Sequence, residues 1–106
     1  MKKLLLVLLC LPTFLFSQSK IGLDIDGERD FDESGSSVSL SIDGNIVAIG
    51  APHNDGPLNP NGSLAIGADL GQVRIYQWDS VSVSWIQLGQ DIEGENPNDF
   101  SGSSVS

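Results

Sequence analysis

The chain has 106 residues, 14 of them acidic and five basic, and a formal net charge of −9. A surface this acidic repels nucleic acid and anionic membranes, which excludes both as partners. A single cysteine excludes a disulfide framework within the chain.

The chain opens on the basic Met1-Lys2-Lys3, continues through the apolar run Leu4 to Phe16 and closes that run with Ser17-Gln18. These are the three regions of a secretory signal peptide, and the pattern predicts cleavage after Ser17 and an exported, secreted or cell-surface product. The apolar run is 13 residues long, short of the roughly 20 that a membrane span needs. A buried N-terminal helix or strand is the plain alternative. Cys10 follows Leu8-Leu9, not the small residues that precede a lipid-modified cysteine, so no lipid anchor is predicted. The mature chain from Gln18 has no cysteine and keeps Lys20, Arg29 and Arg74 against all 14 acidic residues, a net charge of −11.

Ile21, Leu23 and Ile25 alternate and predict the tail of a strand. Asp24 to Glu33 is an acidic loop with six carboxylates. Ser36 to Ile42 alternates polar residues with Val38, Leu40 and Ile42, a half-buried strand. Asp43-Gly44-Asn45 is a tight-turn signal. Ile46 to Ala51 is a continuous apolar run of strand length, expected to be covered on both faces, and Pro52 stops it. His53 to Gly71, rich in Gly, Asn and Pro, reads as a long loop with a brief extended piece at Leu64-Ala65-Ile66. Gln72 to Trp78 and Val83 to Leu88 are the next strands, joined by a turn at Asp79 to Ser82. Gly89 to Phe100 is a second acidic loop. The mature chain has no helical periodicity with helix caps.

One relation organises these elements. Ile21 to Ser39 lies over Leu88 to Ser106 at a constant offset of 67, with 12 of 19 positions identical. The identities include Gly22/Gly89, Asp24/Asp91, Gly27/Gly94, Glu28/Glu95, Asp32/Asp99 and the whole of Ser34 to Ser39 against Ser101 to Ser106. This is an internal repeat. The predicted layout is a signal peptide (1–17), a leading strand tail with acidic loop (18–33), one complete repeat (34–100) and the start of another (101–106). A repeat of four strands in meander order reads as one antiparallel blade of a β-propeller, all-β in class. A sandwich of short strands is the alternative architecture. The predicted core is Val38/Ile42, Val47/Ile49, Val73/Ile75 and Trp85/Leu88.

The stretch Val38 to Pro52, with Gly50-Ala51-Pro52 at its end, resembles the FG-GAP repeat, the blade unit of integrin-alpha-type β-propellers. Gly71 to Trp78 looks like that family's Gly-x-Val-x-Ile-Tyr strand. Ser-Gly-Ser-Ser-Val-Ser and Gly-x-Asp-Ile-x-Gly-Glu are more similar still to a serine-rich version in large exported surface proteins of Bacteroidetes-type bacteria. The resemblance implies a surface binding or adhesion module that contacts an extracellular protein or glycan and neighbouring repeats. The runner-up is a purely structural repeat region that carries an enzymatic or type IX sorting domain. The family's calcium loop does not carry over, because Ser41 to Asn45 is too short to wrap a cation.

Candidate sites follow from the loops. Asp24, Asp26, Glu28, Asp30 and Asp32 stand on alternate residues, a rhythm that calcium ligands share. Asp26 becomes Glu93 and Asp30 becomes Pro97 in the second copy, so the set is not repeated as a unit. Solvated surface is the favoured reading, and no cofactor is assigned. Loops on a rigid scaffold usually carry binding, which nominates His53, Asn54, Asp55, Asn59, Asn61, Asp91, Glu93, Glu95 and Asp99 as one face. In a meander blade the loops His53–Gly71 and Gly89–Phe100 emerge at the same end. His53 is the only histidine and no nucleophile is fixed beside it. The serines of Ser34 to Ser39 lack the strand–elbow–helix setting of a hydrolase. No enzyme activity is predicted. Asn61-Gly62-Ser63 is a glycosylation sequon that counts only in a eukaryotic secretory pathway.

Overall fold

A computed structural model describes residues 20–63 and 68–106. The proposed signal peptide and the extended piece at Leu64-Ala65-Ile66 lie outside them. Within the described residues the fold is all-β, with no helix. The strands are β1 (Ser37–Leu40), β2 (Ile46–Ala51), β3 (Gln72–Asp79), β4 (Ser84–Gln87) and β5 (Ile92–Glu93). They form one antiparallel sheet, a β1-β2-β3-β4 meander that is not closed on itself, with β5 also on β3.

The hairpins form where turn chemistry places them. Asp43 organises the first: its carboxylate accepts from the Ser41 hydroxyl at 2.6 Å and the Asn45 amide at 3.0 Å. Gly44 supplies the left-handed residue at φ 74°. The Ser41 hydrogen bond, followed by the Asn45 one, holds the Asp43 carboxyl below its ordinary range. Asp79 plays the same part before β4, accepting from Ser82 at 2.7 Å.

The sequence reads Gly89 to Phe100 as a plain loop, whereas the structure finds β5 inside it. Tyr76 faces Gln87 and Val73 faces Ile92. Four residues, 88–91, therefore stand opposite two of β3. β4 and β5 are one strand interrupted by a bulge, which Leu88 anchors by donating to the Ile75 carbonyl at 2.7 Å. Two residues flanked by acidic and Gly-rich chain give no periodic signal, so pairing alone reveals this strand.

Register sorts the side chains onto two faces. Val38, Leu40, Val47, Ile49, Ala51, Gln72, Arg74, Tyr76, Trp78 and Trp85 share one face, because directly paired residues point the same way. The segment from Gly22 to Ser34 crosses this face. Ile25 and Gly27 enclose a small cavity with Ile49, Ala51 and Tyr76. Gly22 lies so close to Trp78 that a Cβ there would sit 2.8 Å from the indole. Trp78 and Trp85 meet edge to face at 5.4 Å. On the other face, the carbonyl of Gly102 lies on Gly50 and accepts from the Ser37 hydroxyl at 2.7 Å.

The apolar core is smaller than expected. Among the described residues only Val47 and Ala51, each 6% exposed, are buried hydrophobics. Val38, Ile42 and Leu88 were expected inside and are exposed. β1 is an edge strand, and the crossing segment covers β2 and β3 but not its outer residues. Ile46 to Ala51 is an inner strand, yet Ile46 is exposed too. No described element lies over that end of the second face.

The internal repeat is also a backbone repeat. Gly22 and Gly89 have φ of 78° and 69°, Phe31 and Asn98 of 69° and 63°, Glu33 and Phe100 of 57° and 50°, and Gly35 and Gly102 of 94° and 87°. Positive φ is uncommon outside glycine. Its recurrence at an offset of 67 shows that the two acidic segments turn alike at these four positions. Ser36 and Ser103 close both copies identically, each hydroxyl donating to the carbonyl three residues earlier.

Candidate functional site

The loop after β2 and the loop after β5 meet at one end of the sheet. Asn98, Phe100 and Ser101 donate backbone hydrogen bonds to Ala68, Asp69 and Leu70, at 2.7, 3.1 and 2.9 Å. Gly94 donates to Gly71 at 2.9 Å. The first acidic loop reaches the same end, where His53 N–H donates to the Asp32 carbonyl at 3.2 Å. Three loops from distant parts of the chain thus converge beside the start of β3.

Their meeting point is a buried polar hub. Asn54 is fully buried, 0% exposed, with Gln72 and Asp32 nearly so at 2% and 4%. A buried amide must have all its groups satisfied. The Asn54 side-chain oxygen accepts from Gly56 N–H at 2.8 Å, an Asx turn. Its Nδ2 donates to Asp32 Oδ2 at 2.8 Å and to Glu28 Oε2 at 3.0 Å, and lies 3.5 Å from Gln72 Oε1. Its backbone N–H reaches Ala51 and its carbonyl accepts from Gly71.

Gln72 passes the network to the second acidic loop. Its Nε2 donates to Asp91 and Glu93, both at 2.9 Å. Arg74, one residue pair further along the same face, bridges the two loops. Its Nη2 pairs with Glu28 at 2.5 Å and its Nε with Asp91 at 3.1 Å. Gln87 donates to Asp91 at 2.6 Å. Four carboxylates, Glu28, Asp32, Asp91 and Glu93, are thus gathered by three amides and a guanidinium. Arg29 stands nearby, donating to the Gly56 carbonyl at 3.0 Å. Glu93 is the least content member. Its Oε2 is buried without a partner. Burial pushes its pKa up, and Asp91 and Glu28 add to the shift against the Gln72 hydrogen bond.

This geometry corrects several readings. Asn54 was nominated for an exposed binding face and is instead the interior hub. Asp91 and Glu93 turn toward Gln72 rather than to solvent. The five-residue calcium set does not assemble. Glu28 and Asp32 converge on Asn54, Asp24 pairs with Lys20 at 2.8 Å, and Asp26 and Asp30 are exposed. Among the described residues no group of three or more acidic, His or Cys side chains is arranged to hold a metal. Gln72 and Arg74 read from sequence only as strand residues. The signal for them is a polar pair on the β3 face that otherwise carries Tyr76 and Trp78.

The outer rim holds the rest of the nominated residues. His53 Nδ1 lies 3.1 Å from Asp69 and Nε2 lies 3.6 Å from Glu33, with Phe100 edge-on at 5.4 Å. Asp55 accepts from the Asp69 amide at 3.0 Å. Asn59 and Asn61 form a local exposed turn with Ser63. Glu95 and Asp99 are exposed, and Asp99 accepts only from the Asn96 amide, at 2.8 Å.

The chain matches no family model, no curated protein and no solved structure. No helix among the described residues is long and apolar enough to cross a membrane.

Proposed function

We propose that the chain is an exported, repeat-built binding module, a β-propeller blade of the FG-GAP type with the start of a second. Its ligand is an extracellular protein or glycan, met on the rim formed by the loops after β2 and β5. The observation that carries this reading is the convergence of those loops at one end of the sheet, in a chain whose acidic segment recurs at an offset of 67. The buried hub beneath makes them a fixed platform, and fixed loops on a scaffold are a usual place for recognition. His53, Asn59, Asn61, Glu95 and Asp99 are the residues left on its outer surface. Binding of the exported protein to arrayed glycans and to extracellular matrix proteins tests the reading. The expected result is a specific ligand whose binding is lost in an Asn59→Ala/Asn61→Ala variant that retains its sheet.

One observation favours a second reading. Four of the acidic-loop carboxylates are engaged inside the molecule, as they would be in a structural repeat that spaces another domain. A chain that binds none of the arrayed ligands and is followed in its gene by a catalytic or sorting domain establishes that role instead. Export itself is checked by N-terminal sequencing of secreted protein, which should begin at Gln18.

A further inference from the structure

The offset of 67 between the two acidic loops allows one loop to serve as a template for the other. The front half of the second loop, Asp91 and Glu93, grips Gln72 and Arg74 of the sheet that precedes it. The back half of the first loop, Glu28 and Asp32, grips Asn54 and Gln72 of the sheet that follows it. Each loop therefore has one half for each of two sheets. In the first copy the front half grips no sheet among the described residues, where Asp24 pairs with the exposed Lys20. In the second copy the back half grips no sheet among the described residues: Glu95 and Asp99, the equivalents of Glu28 and Asp32, are exposed, and Asp99 accepts from the Asn96 amide of its own loop.

We propose that Glu95 and Asp99 are a docking site for the side-chain amides of a further repeat unit. The occupant is a sheet of this same type, offering an Asn just after its second strand and a Gln at the start of its third. The proposal rests on the reading of the chain as an array of repeats, though not on closure of that array into a ring. Two observations select this occupant. The equivalent carboxylates already hold these amides, with Asp32 2.8 Å from Asn54 Nδ2. The second loop also turns as the first does, with left-handed residues at 89, 98, 100 and 102 matching 22, 31, 33 and 35. It is thus shaped for an amide pair that it does not yet hold. A hydrated cation is a poorer fit, because the templating pair binds N–H donors and gathers no metal-ligand group.

The test is a chain in which residues 40–106 are repeated once after Ser106. Because Ser101 to Ser106 repeats Ser34 to Ser39, this places a complete second unit on its natural lead-in. Hydrogen exchange read by NMR follows the β2–β3 amides of both units. Asp99→Ala should lower protection in the second unit by about tenfold or more and leave the first unaffected, as expected for buried amides deprived of a charged acceptor. Asp32→Ala should do the reverse, and Asp24→Ala should change neither. A folded second unit whose protection ignores Asp99→Ala and Glu95→Gln overturns this inference and leaves the array reading standing. A second unit that forms no protected sheet overturns both.

Discussion

Asn54 is the side chain on which the most contacts depend. It satisfies two carboxylates, one backbone amide and a neighbouring glutamine while completely buried. Asn54→Ala, placed in the first unit of the tandem chain, leaves Asp32 buried without its donor. The expected loss is about 3 kcal/mol, the upper part of the range for an orphaned buried group, read from the urea midpoint. Glu93 works in the opposite sense. Its pKa is raised by burial, so the folded state prefers the protonated form. That preference supports the fold below the ordinary glutamate value of 4.5 and is lost as pH rises through the raised folded value. Glu93→Gln should therefore raise the urea midpoint at neutral pH. The gain should shrink to nothing below pH 4.5, where the native side chain is itself neutral. A gain that persists unchanged in acid would show that charge is not its cause.

At the scale of elements, the turn into β4 stores strain that a substitution can release. Val83 is β-branched, has φ of 54° and is 53% exposed. Such a conformation costs about 1–3 kcal/mol outside glycine, and little packing is at stake at this exposure. Val83→Asn should stabilise the β3–β4 hairpin by about 1 kcal/mol, since Asn tolerates the left-handed region, measured as slower amide exchange at Gln77 and Ile86, which face each other in the ladder. Alternation and turn chemistry made the four meander strands legible in the sequence. Asp43-Gly44-Asn45 and Asp79 to Ser82 fall at the hairpins because their side chains bond the turning backbone. The sequence repeat was legible too, and left-handed residues recur at its offset of 67. The hub was not legible. A lone Asn in a Gly- and Pro-rich loop looks like surface, and only one copy of Asn54 is present to compare. β5 was equally hidden, because a two-residue strand takes its identity from pairing with Gln72 and Val73.

At the scale of the whole molecule, one sheet has two faces, and the described residues cover each only in part. The segment from Gly22 to Ser34 lies over β2 and β3 on one face, and Gly102 touches only the Gly50 end of the other. Val38, Leu40, Ile46, Ile86 and Ile92 remain exposed on the sheet. The β1 edge, outside its pairing with β2, presents unpaired backbone groups. Repeat proteins of this kind draw their stability from contacts between neighbouring units, and about three are normally needed. The isolated mature chain from Gln18 should therefore self-associate or lose its tertiary structure, and its thermal transition should be broad. On the proposed array, chains extended by one and then two further units should become monomeric and unfold at successively higher temperature, because each added unit would cover a sheet face and engage Glu95 and Asp99. Light scattering and thermal unfolding across that series provide the measurement. A single-unit chain that stays monomeric and unfolds sharply and reversibly would mean that Val47, Ala51 and the polar hub suffice as a core, and that neighbouring units add surface but not stability.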